Sequence, residues 1–441
     1  MTAPDHAIPL EALAPGARAR DADVRRGGPT DPSHDERLRR GIIDTAISRG
    51  VARAIVVTFV AAIFAVPLAQ EILQHARGEE SVLPELFRHR PTRASLRQFE
   101  DDLEQASYPK DWVQPRVQAL LSQVGRVGNK KAVVGRDGWL YYAPGIAFVG
   151  GPGFLATGTL DGRVRAARDA GGPELAADPR PAILSFARAL AARGIALVLF
   201  PVPDKAMLEA RQLHGRAAGG ETAIARNPSW GQFVDEMTAA GVAVFDPTPR
   251  ALSPDERPRY LVQDTHWTPE WMQAVAIDLA RFVSHEGRLP ALAAPPPLRE
   301  VDRPVSRVGD IVDMLKLPEG QTVFAPQTVV TRAVVDGAGA DWEPDEKADV
   351  LLLGDSFTNV YSLDAMGWGT AAGLGPHLAL ALGRPVDVIA QNDSGAVATR
   401  QALARELAGG SDRLKGKRVV IWELASRELA VGDWKEVAWA P

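Results

Sequence analysis

The chain has 441 residues, enough for two or three domains or for one large domain with extensions. Its 46% hydrophobic and 24% charged content suits a folded protein with an ample core, and a net charge of −5 with a pI near 6.0 argues against a general nucleic-acid binder. With no cysteine, disulfides, cysteine–zinc sites and thiol catalysis are excluded, while the redox compartment stays open.

Residues 1–36 carry Pro, Gly, Asp and Arg with little apolar periodicity, so the sequence predicts a disordered tail that continues to about residue 50. The composition then changes abruptly. From Ala54 to Gln70 there is no charged residue, and with its flanks the stretch 51–75 is long enough to cross a bilayer as one helix. Arg37, Arg39, Arg40, Arg49 and Arg53 precede it, whereas Glu79 and Glu80 follow, an asymmetry that predicts a cytoplasmic N-terminus and a chain exported beyond residue 75. A cleaved signal peptide fits less well, because its charged region is short; a buried core helix is the other reading. The expectation is a single-pass signal anchor.

Beyond it, residues 76–130 read as a helical linker region, with Leu96, Phe99 and Leu103 at helical spacing. Two strand-like runs around Arg136-Asp137-Gly138 mark a hairpin and the start of a folded domain over 131–441. Residues 144–178, rich in Gly and Ala, predict long loops with interspersed helix. Helices over 181–193, 232–240, 269–282, 376–382 and 399–408 alternate with apolar strands over 195–200, 242–245, 350–353, 385–390 and 418–422. That alternation predicts an α/β fold, a parallel sheet with helices on both faces. Residues 286–346, with Pro295, Pro296 and Pro297 and patchy apolar runs, read as an insertion or irregular crossover.

The chemistry centres on Gly354-Asp355-Ser356, where a buried strand hands over to a helix. Open α/β sheets carry their sites at this edge. A serine hydroxyl becomes nucleophilic when a base takes its proton, commonly a histidine oriented by a carboxylate. Asp264-Thr265-His266 precedes a helix that Thr268 caps and Pro269 opens, and residues two apart in extended chain project to one side. Asp264 can thus reach the imidazole Nδ1 and leave Nε2 for Ser356. Alternatively His266 packs on Trp267, Asp264 caps a loop, and Gly-Asp-Ser is a plain turn; a metal reading lacks a third ligand at a suggestive spacing. For an oxyanion, the candidate donors after strands are the Ser356 N–H, the Asn392 side chain and the Gly395 N–H, with Lys205 and Arg427 lining a cleft or capping helices. No metal and no cofactor is required.

Taken in order, Val134-Gly-Arg-Asp-Gly-Trp-Leu-Tyr141, Pro201-Val-Pro-Asp-Lys205, Asp264-Thr-His266, Gly309-Asp-Ile311, Gly354-Asp-Ser356 and Ile421-Trp-Glu-Leu-Ala-Ser-Arg427 resemble the alginate O-acetyltransferase AlgJ/AlgX family. Its SGNH/GDSL hydrolase-like domain has the Asp-x-His element before the serine, a permuted order relative to ordinary SGNH hydrolases. The resemblance spans about 94–430 and implies that Asp264, His266 and Ser356 form a triad. It further implies a periplasmic enzyme at the bacterial inner membrane that moves acetyl groups onto exopolysaccharide hydroxyls, supplied through a multi-spanning membrane O-acyltransferase. With no carbohydrate-binding module evident after the last strand, the chain looks more like the anchored AlgJ type. An acetyl esterase using the same triad, and a non-catalytic glycan-binding component of a secretion complex, are the competing functions; an intact triad counts against the latter.

Overall fold

Five of the apolar runs assemble into one sheet. In a computed structural model that describes residues 48–79, 83, 90–214, 224–252, 257–292, 294–392 and 395–439, the chain divides into two compact units, 1–81 and 82–441. The expected disordered tail over 1–47 lies outside the described residues.

In the first unit one helix, Arg49–Arg77, is capped by Ser48 at its start and by left-handed Gly78 at its end. Its 29 residues correspond to about 43 Å at 1.5 Å per residue. Its mean hydropathy reaches 2.3 over the most apolar window, none of which is buried, and Val57, Phe59, Phe64 and Ile72 are all exposed. A helix apolar on every side needs an apolar surrounding.

The second unit begins with helices Arg93–Gln105 and Tyr108–Gly125 in the stretch expected to be a helical linker. Strands β1 (Ala132–Val134) and β2 (Leu140–Tyr142) then form the expected antiparallel hairpin. The main sheet takes β3 (Ala196–Val202), β4 (Ala243–Val244), β7 (Val350–Gly354), β8 (Asp387–Ala390) and β9 (Val419–Ala425) in the order β4-β3-β9-β7-β8, every pair parallel. Alternate side chains explain its two faces. Val198, Phe200, Val350, Leu352, Val419 and Ile421 pack beneath helices Pro269–Glu286 and Leu374–Leu382. Leu197, Leu199, Leu351, Leu353, Val420 and Trp422 pack against helices Pro179–Ala191, Trp230–Ala239 and Gly395–Ala408. Because both faces are covered, the strands read as continuous apolar runs.

The irregular crossover expected over 286–346 is instead an antiparallel ribbon. Strands β5 (Arg299–Arg307) and β6 (Gln327–Val335) pair along nine residues, with helix Asp310–Met314 between them. Alternate residues of β5 stay exposed (Glu300, Asp302, Pro304 and Ser306), so its sequence has no apolar run.

Candidate active site

All five main-sheet strands point the same way, so the residues that follow β3, β7, β8 and β9 gather at one edge. These are Asp204 and Lys205, Ser356, Asn392, and Ser426 and Arg427.

Ser356 opens a four-residue helix, Ser356–Asn359, directly after β7. Asp355 fixes this turn. Its Oδ1 accepts the Phe357 N–H at 2.8 Å and its Oδ2 accepts the Ala425 N–H at 2.8 Å, tying the turn to the end of β9. Glu423 of β9 ties it from below: Oε2 accepts the Asp355 N–H at 3.0 Å and the Thr358 hydroxyl at 2.7 Å. A Cβ at Gly354 would lie 2.1 Å from Thr358 Oγ1 and 3.0 Å from Glu423 Oε2, so the approach requires glycine. Burial, then the Asp355 charge, pushes the Glu423 carboxyl well above the usual range, and its Oε1 is buried without a partner. Both causes favour the protonated form of Glu423.

His266 and Asp264 come from the loop before helix Pro269–Glu286, a loop pinched by the Tyr260–Trp267 bridge. The two side chains pair as their spacing predicts, with His266 Nδ1 2.6 Å from Asp264 Oδ1, which also accepts the His266 N–H at 3.0 Å. Asp264 Oδ2 accepts the Trp368 indole N–H and the Asp310 N–H, each at 3.0 Å. Burial would raise the Asp264 carboxyl, but His266 and these donors hold it well below the ordinary carboxylate range. Burial would likewise lower His266, yet the hydrogen bond and charge of Asp264 outweigh it and raise the imidazole above its usual value. With Nδ1 given to Asp264, His266 Nε2 is buried with no hydrogen-bond partner. The ring meets the Phe357 ring edge-on at a centroid distance of 4.9 Å, which brings it against the residue next to Ser356.

The third acid that the sequence did not show at a suggestive spacing is Asp310. Gly309-Asp310 interlocks with the histidine loop: a Cβ at Gly309 would lie 2.3 Å from the Gln263 carbonyl oxygen, and the Ile311 N–H donates to that oxygen. Asp310 accepts the Thr265 N–H at 2.7 Å and the Thr265 hydroxyl at 2.8 Å. Burial and the Asp264 charge push its carboxyl up to about 6. Asp264, His266 and Asp310 each offer one ligand atom within 4.8 Å of the others, the geometry of a cation cluster. Every carboxylate oxygen in it, however, already accepts an N–H or O–H, so the group fits a hydrogen-bonded dyad with its support better than a metal centre.

The remaining candidates separate. Arg427 is near Ser356: Nη1 donates to Asp204 Oδ1 at 3.1 Å, and the guanidinium carbon lies 5.8 Å from the Phe357 ring centroid and 5.2 Å from that of Tyr142. Ser426 also donates to Asp204, which anchors both residues. Lys205 lies beneath the histidine loop. Its Nζ donates to the carbonyl oxygens of Leu261, Val262 and Asp264 at 2.6, 2.9 and 3.0 Å, and it sits over the rings of Trp139 and Tyr141. Burial pushes its ammonium down to about 7. With three N–H groups on three carbonyls, it braces the loop and has no proton left for a substrate oxygen. Asn392 is exposed and bridges helix Ser356–Asn359 to its surroundings, accepting from Asn359 Nδ2 at 2.8 Å and donating to Met366 Sδ at 3.1 Å. Gly395 begins helix Gly395–Ala408; Asp393 and Ser394 between them lie outside the described residues.

Sequence reasoning missed the supporting residues. Trp368 sits between two glycines with no motif around it, and Glu423 was one of several acids after or within strands. Asp310 was visible only as part of a recurring Gly-Asp-Ile stretch.

A comparison with curated proteins gives no match. Among solved structures, the O-acetyltransferase domain of Pseudomonas putida AlgJ is 22% identical, covering 69% of this chain and 93% of that one, with a TM-score of 0.49. Pseudomonas aeruginosa AlgX is 16% identical, covering 71% and 70%, with a TM-score of 0.44, and Bacillus cereus PatB1 is 11% identical, covering 68% and 97%, with a TM-score of 0.38. The model of the SGNH hydrolase-like domain of acetyltransferase AlgX matches residues 132–426, which takes in the hairpin, the whole parallel sheet and Asp264, His266, Asp310, Ser356 and Glu423. On that match, the chain belongs to the AlgX family of SGNH-type acetyltransferases.

Proposed function

We propose that residues 131–441 are a catalytic domain held in the periplasm by an anchor over 51–75, and that it transfers acetyl groups to exopolysaccharide hydroxyls through Ser356, His266 and Asp264. The observation that carries this reading is the buried Asp264–His266 pair at 2.6 Å whose outer nitrogen is unpartnered beside the serine turn. An unpaired buried imidazole nitrogen costs stability unless a reacting group uses it. Hydrogen bonds of this kind are often long before substrate arrives.

In the first half-reaction Ser356 Oγ attacks the carbonyl carbon of an activated acetyl ester while His266 Nε2 takes the hydroxyl proton. Asp264 stabilises the imidazolium that forms. As the tetrahedral intermediate collapses, its bond to the donor oxygen breaks and the imidazolium returns a proton to that oxygen. In the second half a sugar hydroxyl attacks the acetyl-serine, gives its proton to His266 Nε2, and releases Ser356 as the ester forms. Negative charge on the carbonyl oxygen is met by the Ser356 N–H and by donors from Arg427, Gly395 and Asn392. The Arg427 guanidinium makes no other hydrogen bond than that to Asp204 among the described residues, which leaves N–H groups for this purpose. The donor reaches the domain through a multi-spanning membrane O-acyltransferase, and the acceptor is an alginate-like or other exopolysaccharide.

The test uses the full chain in detergent with 4-nitrophenyl acetate, with and without oligosaccharide acceptors. Acetylated sugar supports transfer; acetate release that no sugar diverts identifies an esterase. Turnover that survives Ser356→Ala removes the triad. The cysteine-free chain also makes topology measurable: in intact cells an impermeant maleimide is expected to label Arg90→Cys and spare Thr45→Cys, and the reverse pattern overturns the anchor's orientation.

A further inference from the structure

Beside the serine turn lies a cavity of about 450 Å³, within the range of small-ligand pockets. It is bounded by the end of β8, by helix Leu374–Leu382 and by the stretch Asp341–Pro344 after the ribbon. Thr358 and Asn359, two and three residues after Ser356, form its near wall, so whatever fills it adjoins the nucleophile's helix.

The wall has three features. Trp342 supplies an aromatic surface; its backbone N–H donates to the Val334 carbonyl, and its six-membered ring lies close enough to Gly375 to touch any Cβ placed there. Hydrogen-bonding groups are available around it. Asn359 uses its amide N–H on Asn392, leaving its oxygen without a protein donor among the described residues, and Ser362 accepts the Gly373 N–H, leaving its own proton to give. The net charge is negative. Asp341 and Glu343 line the cavity, and among the described residues no Lys or Arg does. Arg303 pairs with Asp341 and offsets its charge, with Thr370 as a further donor, while the exposed Glu343 has no ion pair among the described residues.

An indole face with amide and hydroxyl groups suits the two-sided character of a pyranose, apolar on its ring faces and polar at its rim. A carboxylate here would meet the unpaired charge of Glu343 while Arg303 is already engaged by Asp341, the kind of repulsion that discriminates between ligands of similar shape. We infer that this cavity takes a sugar residue of the acceptor that bears no carboxylate, a neutral or amino hexose next to the unit being acetylated. The inference rests on the acetyltransferase reading of the site and narrows its acceptor away from polyuronates.

Binding tests it apart from catalysis. The full-length Ser356→Ala protein in detergent is titrated calorimetrically with β-1,4-linked pentasaccharides of glucose, glucosamine and mannuronate. The glucose or glucosamine pentamer is expected to bind at least tenfold more tightly than the mannuronate pentamer. Trp342→Ala is expected to weaken that binding at least tenfold, and Glu343→Lys, at an exposed position, to narrow the preference at least fivefold. Mannuronate binding as tight as the others, no binding by either uncharged or amino pentamer, or a preference indifferent to Glu343→Lys overturns the inference. Ester turnover by protein with Ser356 intact reports the catalytic reading separately, so either can fail while the other stands.

Discussion

Trp368 donates its indole N–H to Asp264 Oδ2 at 3.0 Å across 104 residues of sequence, fixing from behind the carboxylate that holds His266. A carboxylate with its outer oxygen so occupied turns its other oxygen to the imidazole, which selects the tautomer with the proton on Nδ1. Trp368→Phe keeps the ring and removes the donor. We expect kcat/KM for 4-nitrophenyl acetate to fall about tenfold, the equivalent of about one lost hydrogen bond, with little change in KM. An unchanged kcat would show that Asp264 needs no such support.

Triad members act as a unit, so their losses do not add. Ser356→Ala and His266→Ala are each expected to lower kcat by about 10⁴-fold or more, and the double variant to be no worse than the poorer single one. Steady-state turnover of an activated ester measures this. Additive losses would mean that the two residues serve separate steps.

The base must be neutral to take a proton. Because Asp264 raises the His266 pKa above the ordinary 6.5, the acid limb of the kcat/KM profile is expected above pH 6.5, with activity rising as the imidazolium loses its proton. Asp264→Asn removes the charge that raises it. The limb should then move to lower pH while the maximal rate drops by about 10³- to 10⁴-fold. A limb that stays in place in Asp264→Asn would place the titrating group elsewhere.

Lys205 offers a contrast, a charged residue whose loss acts through structure. Lys205→Met preserves length but takes the ammonium from the carbonyls of Leu261, Val262 and Asp264, of which Val262 keeps the Leu140 N–H. We expect a loss of about 2–3 kcal/mol in unfolding free energy by denaturant titration. Turnover should fall through kcat as the histidine loop loosens, with KM little changed. A stable protein with a raised KM would instead make Lys205 a substrate contact.

Glu423 gives a stability signature. Its carboxyl titrates in the unfolded chain near 4.5 and well above that in the fold, so the native state binds more protons over that interval and stability falls as pH rises through it. Glu423→Gln keeps the shape of the side chain without a titrating group and should flatten this fall. Glu423→Ala leaves the Asp355 N–H and the Thr358 hydroxyl unpaired and should cost about 1–3 kcal/mol. Thermal melts across pH separate the two outcomes.

The legible parts of the molecule were those written in contiguous residues. Val350–Gly354 and, Glu423 apart, Val419–Ala425 are buried on both faces and therefore apolar, so the sheet could be read directly. Asp264 and His266 could be paired because two positions of extended chain suffice to join them. The β5/β6 ribbon escaped notice because half of its side chains meet solvent, and Pro304 interrupts the little pattern that remains. Asp310 and Trp368 reach Asp264 from 46 and 104 residues away, distances at which local spacing carries no information. Lys205 follows a strand just as Ser356 does, and only the fold reveals the loop of carbonyls laid over it.

β9, the last strand made, lies in the middle of the sheet, and β3 and β7 meet only through it. Until residues 419–425 have been synthesised, β4-β3 and β7-β8 are two separate ribbons with unsatisfied edges. Such edges invite pairing with other chains. The same strand carries Glu423 and leads into Arg427, so closure of the sheet and completion of the serine turn are one late event. A nascent chain thus has no competent active site while its sheet is open.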